Sequence, residues 1–294
     1  MRFVIGEYPY HHIDYSLPRF ISETRRRELR RERIKSVSVH SLLFVLTVIS
    51  TYLMGGVWYA LPVIVILFSH EMGHYLMCRR YRVPATFPFF IPFPFLNPFG
   101  TLGAVIRIRG IIPSRKALFD IGVAGPLAGL AFTLPALYFG ISMSDIVPAT
   151  ENTDAAFYLG ESLLYKGISY LTLGPISDGY DVMLHPLAYA GWVGLFVTAL
   201  NLLPIGQLDG GHVYYSLFGR RGKAGSMIFL AALGVAVINY PGWGLLFLIL
   251  LIWGRKHPPP ADDSTPIDLK RRLIAGFVFI IFILSFIPEP FKLG

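Results

Sequence analysis

The stretch Phe68-Ser-His70-Glu71-Met-Gly-His74 decides the fold of this 294-residue sequence, because it puts ionisable side chains inside an apolar segment. The segment, residues 61–77, is long enough for a helix that enters a hydrocarbon core of about 30 Å. On such a helix the two histidines lie one turn apart, about 40° around the axis. They can occupy two corners of a tetrahedral metal site, with Glu71 placed to accept a proton from water.

The alternative to a metal site is a pair of interior histidines that form hydrogen bonds between helices. Ionisable groups are costly inside an apolar segment, about 2.5–3.5 kcal/mol per charge at the centre of a membrane helix. A purely structural role for these side chains is therefore disfavoured, and the spacing predicts a metal site.

The composition identifies a membrane protein. Hydrophobic residues make up 54% of the chain and charged residues 15%, with a mean hydropathy of +0.55. Soluble domains carry about 25% charged residues, so an ordinary soluble globule and a disordered chain are both excluded. A single cysteine, Cys78, excludes a disulfide framework, a cysteine-rich zinc module and an iron–sulfur cluster. The net charge of +8 is assigned to loops at the membrane and not to nucleic-acid binding.

Apolar segments along the chain predict an all-α polytopic membrane protein with seven transmembrane helices. Gly55, Gly56 and Pro62 are expected to mark the turn between the first two segments. The sixth segment has 12 residues, about 18 Å as a helix, so six crossings is the alternative. The segments are 41–60, 61–77, 117–143, 186–203, 224–239, 242–253 and 273–287.

The distribution of lysine and arginine predicts the orientation. These residues concentrate in alternate loops, whereas the long loop 144–185 has Lys166 alone against six acidic residues. This pattern favours a multi-pass protein of the cell membrane with a cytoplasmic N-terminus. We expect a basic tail (1–38), a catalytic membrane core (39–222) and additional C-terminal transmembrane helices (223–294). The basic run 24–35 is either a helix apposed to the membrane or a solvated arm.

A small membrane-associated β element is predicted after the second helix. Five prolines between Arg82 and Pro98 forbid a helix there. The following stretch, Gly100 to Gly110, alternates in polarity with the period of a strand. A surface hairpin is the alternative, but the apolar neighbours favour a strand that is partly inserted and shielded by protein.

A third metal ligand is expected at the end of the fourth segment. Pro204 and Gly206 break that helix, and Asp209 follows beside a Gly-Gly pair that lets its carboxylate approach a metal. His212 is the alternative ligand. Cys78, four residues after His74, is better explained as a small buried hydrophobic residue. The remaining buried acid, Asp120, is expected to pair with Arg115 or Lys116 or to support a ligand histidine.

These paired motifs resemble those of the site-2 protease family of intramembrane zinc metalloproteases. The resemblance covers roughly residues 40 to 220. It rests on His70-Glu71-x-x-His74, Asn201-x-x-Pro204-x-x-x-x-Asp209-Gly210, Gly100-x-Leu-Gly103 and Gly125-Pro126-x-x-Gly129. The loop 144–185 is too short for the PDZ domain of many bacterial relatives.

The resemblance implies one Zn²⁺ per chain, held by His70, His74 and Asp209, with Glu71 activating the water. It also implies that Asn201 forms a hydrogen bond with the substrate backbone. The strand that contains Gly100, Gly103 and Val105 would be the edge onto which an unwound substrate helix adds.

The expected function is hydrolysis of peptide bonds within or near the transmembrane segments of membrane proteins. The partners are then a transmembrane substrate and the lipid bilayer, with no nucleic acid. Two other classes stay open: a catalytically inactive homologue that binds membrane proteins, and a transporter, in which intramembrane ionisable residues mark an ion pathway.

Overall fold

The structure is a computed structural model that describes residues 23–95, 97–149, 157–254 and 257–293. The chain divides into two units, Met1–Leu42 and Leu43–Gly294. In its described part, the first unit contains the beginning of helix α1 (Glu23–Gly55). The second contains the rest of α1 and all later elements. Of the expected basic tail, residues 1–22 lie outside the described residues, and the run 24–35 is helical.

The second unit is mainly helical, which confirms the predicted fold class in its coarse form. Short 3₁₀ turns, Gly219–Gly222 and Pro241–Trp243, connect three of its helices. After α1, the helices of the described residues are α2 (Val57–Arg80), α3 (Arg115–Ser142), α4 (Leu163–Leu173), α5 (Pro186–Asn201), α6 (Asp209–Phe218), α7 (Lys223–Asn239), α8 (Gly244–Trp253) and α9 (Leu269–Ser285).

Four helical stretches in the described residues are long and apolar enough to cross a membrane. Two shorter apolar helices, Pro186–Asn201 and Pro241–Ile252, accompany them. These helices support membrane association, while the count of six or seven crossings and the orientation stay predictions. The four stretches are Val37–Gly55, Val57–Arg80, Arg115–Ser142 and Asp209–Asn239.

The predicted place of the first turn is wrong in part. The break between α1 and α2 lies at Gly56, whose φ of +66° is the left-handed conformation that glycine adopts without strain. Pro62 lies inside α2 instead of in the turn. Proline fixes φ near −65°, so it cannot supply the left-handed turn, and α2 tolerates it close to its start.

Short antiparallel pairs complete the described fold. The pair β1 (Phe89–Pro92) and β2 (Thr101–Val105) is the β element predicted after the second helix. Two further pairs, which the sequence did not predict, involve the loop between α3 and α5. They are β3 (Asp145–Pro148) with β5 (Tyr180–Met183), and β4 (Phe157–Leu159) with β6 (Phe291–Leu293).

Helix α3 is the centre of the core and packs against α2, α5 and α6. Small residues let the backbones approach closely, as is typical of helices that pack within membranes. A Cβ atom added at Gly191 would lie 2.7 Å from the Leu137 backbone, and one at Gly140 would lie 2.2 Å from the Ala188 nitrogen. The crossing of α3 and α5 therefore depends on glycine on both helices.

We expect the substitution Gly191→Ala to destabilise the protein by about 1–3 kcal/mol, because the added methyl group forces α3 and α5 apart. Gly276→Ala on α9 is the matched control, since no atom lies within 4 Å of its added Cβ. The control should match or slightly exceed the wild type in stability. Thermal unfolding in detergent measures both, and equal midpoints for Gly191→Ala and the wild type would contradict this account of the crossing.

Candidate metal centre

Helix α2 carries His70, Glu71 and His74 on its buried side. These three residues are 4%, 8% and 7% exposed to solvent, in that order. The two imidazole rings lie edge to face, with centroids 4.9 Å apart. The helical spacing predicted from the sequence thus brings both rings to one place in the interior.

The Asp209 carboxylate meets the two imidazoles. Its Oδ2 atom lies 3.1 Å from His70 Nε2 and 3.3 Å from His74 Nε2, and the two nitrogens are 3.2 Å apart. Donors at about 2.0–2.1 Å from a tetrahedral zinc ion lie about 3.3 Å from one another. The observed triangle therefore has the size that one such ion requires.

The tautomer of His74 supports this interpretation. Its Nδ1 atom lies 2.7 Å from the Ile121 carbonyl oxygen, which can only accept a hydrogen bond, so Nδ1 carries the proton. In the neutral ring, Nε2 then presents a lone pair toward the Asp209 carboxylate. This is the tautomer that metal ligation through Nε2 requires, so the donor set fits a divalent metal.

Glycines on α3 make room for the ligand rings. A Cβ atom added at Gly125 would lie 2.0 Å from His74 Nε2, and one at Gly129 would lie 3.2 Å from His70 Cβ. Both glycines belong to the motif Gly125-Pro126-x-x-Gly129, for which the sequence analysis predicted no structural role. Their role is to keep the α3 surface flat where the imidazoles pack.

A compact turn between α5 and α6 delivers Asp209 to the site. Gly206 has a φ of +59°, and Asp209 is the first residue of α6. A Cβ atom at Gly210 would lie 1.9 Å from the Leu202 carbonyl oxygen, and one at Gly211 would lie 2.4 Å from the Gly206 carbonyl oxygen. The two glycines after Asp209 thus let α6 fold back tightly onto the turn.

Two further polar side chains reach the site. Asn201 Nδ2 lies 3.3 Å from His70 Nε2, at the end of α5. Glu71 Oε2 accepts a hydrogen bond of 2.9 Å from the backbone N–H of Ile106, just beyond β2. The sequence did not single out Ile106, although the alternation of residues 105–109 could have placed its N–H on one edge of the strand.

The three strand residues named from the sequence lie in the hairpin. The carbonyl oxygen of Gly100 accepts hydrogen bonds from Ser50 Oγ and from the backbone N–H of Phe93, which anchors the hairpin. Gly103 has a φ of +99° and open space around its Cα, and Val105 pairs with Phe89. In this structure the contact with Glu71 comes from Ile106, one residue further on.

The alternative ligands point elsewhere. His212 Nδ1 lies 2.7 Å from His257 Nε2, and Cys78 packs in a cluster with Val83 and Ile121. Within the described residues, the group of side chains able to share one metal consists of His70, His74 and Asp209.

The expected partners of Asp120 are wrong. Its carboxylate accepts hydrogen bonds from Arg271 Nε (2.8 Å) and Arg271 Nη2 (2.6 Å), and a further one from the Tyr81 hydroxyl. The ion pair joins α9 to α3, one residue before the Ile121 carbonyl that orients His74. No local pattern in the sequence predicts this ion pair, because 151 residues separate the partners.

Comparison with known proteins identifies the family. The sequence profile of peptidase family M50 matches residues 58–238, which is more than half of the chain. The chain belongs to peptidase family M50. This is the site-2 protease family that the motifs resemble. The matched region contains Glu71, Asn201 and all three residues of the triangle, whereas His257 and Arg271 lie beyond it.

Curated relatives of this M50 chain carry names of the same kind. "Probable zinc metalloprotease EGY1, chloroplastic" from Arabidopsis thaliana is 34% identical over 237 residues, which cover 78% of this chain and 42% of that protein. "Probable zinc metalloprotease EGY2, chloroplastic" from the same plant is 31% identical over 245 residues, covering 79% and 42%. The chain thus spans about two fifths of the length of these relatives.

We expect Gly125→Ala to remove most of the bound metal, because the new methyl group would occupy the position of His74 Nε2. The backbone of α3 tolerates alanine at this helical position, so the fold should persist. Gly167→Ala on α4, with no atom within 4 Å of its added Cβ, is the matched control and should keep full occupancy. Elemental analysis of the purified proteins measures the metal. Full occupancy in a folded Gly125→Ala variant would contradict this account of the site.

Proposed function

We propose that this chain is an intramembrane zinc metallopeptidase that hydrolyses peptide bonds within or near transmembrane segments of membrane proteins. The observation that carries the proposal is the convergence of His70 Nε2, His74 Nε2 and Asp209 Oδ2 within 3.3 Å of one another. Membership of family M50 and the names of the relatives support it. The residues fit one Zn²⁺ per chain.

The ligand set suits a hydrolytic centre. His70, His74 and Asp209 would supply three protein ligands, which leaves one tetrahedral position for water or substrate. When bound, zinc would polarise a water molecule and the scissile carbonyl group. The two imidazoles are buried and the Asp209 carboxylate is partly buried, which limits access of bulk water and so strengthens electrostatic interactions at the reacting centre.

Glu71 is the proposed general base and acid. The Ile106 N–H holds its Oε2 atom, which leaves the other carboxylate oxygen to take a proton from the attacking water. The same oxygen can then deliver that proton to the leaving amine. Because the hydrogen bond fixes the carboxylate orientation, the transfer needs little reorganisation.

Asn201 is the proposed substrate-binding side chain. Its amide nitrogen carries two hydrogens, and it lies 3.3 Å from His70 Nε2 at the edge of the site. A hydrogen directed into the site could bind the carbonyl oxygen of the scissile peptide as negative charge develops on it.

The segment that follows β2 offers an edge for an unwound substrate. The Thr86 N–H donates to the Arg107 carbonyl, and the Arg109 N–H donates to the Pro84 carbonyl, so the backbone groups of Arg107 and Arg109 face the residues that precede β1. The alternate positions, Ile106 and Ile108, direct their backbone groups to the opposite edge. A substrate helix must unwind to be cut, and such an edge can satisfy the released backbone groups. A Cβ atom added at Gly103 would meet no atom within 4 Å, so the hairpin is uncrowded at that position.

The distribution of ionisable groups favours the enzyme over a transporter. Among the described residues, the buried histidine, acidic and basic side chains are His70, Glu71 and His74 at the site and Arg115 at the start of α3. A transport pathway predicts polar groups along several helices. The proposed partners are therefore a transmembrane protein substrate and the surrounding bilayer, as in regulated intramembrane proteolysis.

Glu71→Gln should keep the metal and lose cleavage by at least about 10²-fold, because the amide cannot take up the proton. Membrane proteomes of cells that express the wild type or the variant should differ by uncut transmembrane fragments that accumulate only with the variant. The same proteome from both, with normal zinc content, would instead favour an inactive membrane-protein-binding homologue.

Ile108→Pro should slow cleavage of a substrate found in this way about three- to tenfold, the value of one backbone hydrogen bond. Zinc content should not change. Arg109→Pro is the matched control, since it removes an N–H that bonds within the hairpin and should lower thermal stability. A wild-type cleavage rate for a folded Ile108→Pro variant would contradict substrate addition at this edge.

A further inference from the structure

A cavity lies against the turn that precedes Asp209. It has a volume of about 670 Å³ and is bounded by α6, the start of α7 and residues that follow α8. We call it the interface cavity; its lining includes Gly206, Tyr214, Lys223, Met227, Leu230 and Pro258. Its size is that of cavities that hold small-molecule ligands, about 300–1,000 Å³.

The interface cavity changes from basic to apolar along one helix face. Lys223, Met227 and Leu230 are spaced by four and three residues, so they lie on the same face of α7. Residues 224–239 contain no charged side chain, and Leu230 is 3% exposed. The cavity thus begins where the charged residues end and extends along the apolar part of the helix.

Positive charge exceeds negative charge at the cavity. Arg220 Nε lies 3.3 Å from Asp263 Oδ2, and Arg115 Nε lies 3.9 Å from the other oxygen of the same carboxylate, so Asp263 has no charge left for a third cation. Burial lowers the pKa of His257, another lining residue, to about 4, so it is neutral at pH 7. Lys223 makes no ion pair within the described part of the chain. A ligand that complements this cavity therefore brings a negative charge beside Lys223.

We propose that the interface cavity binds an anionic phospholipid, with its phosphate beside Lys223 and an acyl chain along Met227 and Leu230. A free phosphate would leave the apolar wall uncovered, and a zwitterionic lipid would gain less from the unbalanced charge. The apolar helices that adjoin the cavity place it where lipids are the abundant amphipathic ligand.

The cavity adjoins the segment that carries the third proposed metal ligand. Ile205 and Gly206 line it, and both belong to the turn between α5 and Asp209. A lipid bound there would pack against that turn. Since a ligand that binds the folded state stabilises it, the lipid should raise the thermal stability of the full chain.

Titration of phosphatidylglycerol into the purified chain in neutral detergent, followed by native mass spectrometry, tests the proposal. We expect Lys223→Gln to weaken binding about fivefold, the value of one lysine beside an anionic lipid. Lys223→Arg should bind as the wild type does. Met227→Trp should also weaken binding, because the indole fills the apolar end while the charge stays unchanged.

Lys270→Gln is the matched control, an exposed lysine that does not line the cavity, and it should bind as the wild type does. Phosphatidylglycerol should raise the thermal midpoint of the wild type more than that of Lys223→Gln. Equal weakening by Lys270→Gln would show attraction to surface charge alone. Unchanged binding in Met227→Trp, or equally tight binding of glycerol phosphate, would overturn the lipid site.

Discussion

Two imidazole nitrogens and one carboxylate oxygen face each other within 3.3 Å in the interior of an apolar helix bundle. With His74 Nδ1 donating to the Ile121 carbonyl, the neutral ring turns the Nε2 lone pair toward the carboxylate. A divalent cation between these atoms would be coordinated by all three, and the rest of the site serves to hold them in place. The proposed roles of Glu71 in proton transfer and of Asn201 in substrate binding both depend on that cation.

Helix α3 makes this convergence possible although it supplies no ligand. Its glycines let the imidazoles lie against its surface, its Ile121 carbonyl fixes the tautomer of His74, and its packing against α6 holds the segment that begins with Asp209. The Asp120–Arg271 pair fastens α9 to the same helix. The metal centre therefore depends on the close packing of α3 against its neighbouring helices. Small residues allow this packing, where a soluble core would have larger side chains.

Local patterns in the sequence predict the parts of the site whose spacing is local. The placement of His70, Glu71 and His74 on one helix follows from the helical period, and the proline-rich stretch and the alternation after it predict a small β element after α2, although not the pairing of β1 with β2. The contacts of Gly125, Ile106 and Arg271 depend on how distant elements pack and in which register, which no local pattern contains. Pro62 shows where such patterns fail, because of the three residues expected to mark the turn it is Gly56 that forms the break, and the proline lies inside α2.

The coordination of the metal is the central claim, and X-ray absorption at the zinc edge of the purified full chain tests it most directly. The account predicts about one zinc per chain, with two imidazoles at about 2.0–2.1 Å, further oxygen ligands and no sulfur in the first shell. Absence of zinc at this stoichiometry, a single imidazole, or a sulfur ligand that identifies Cys78 would contradict it.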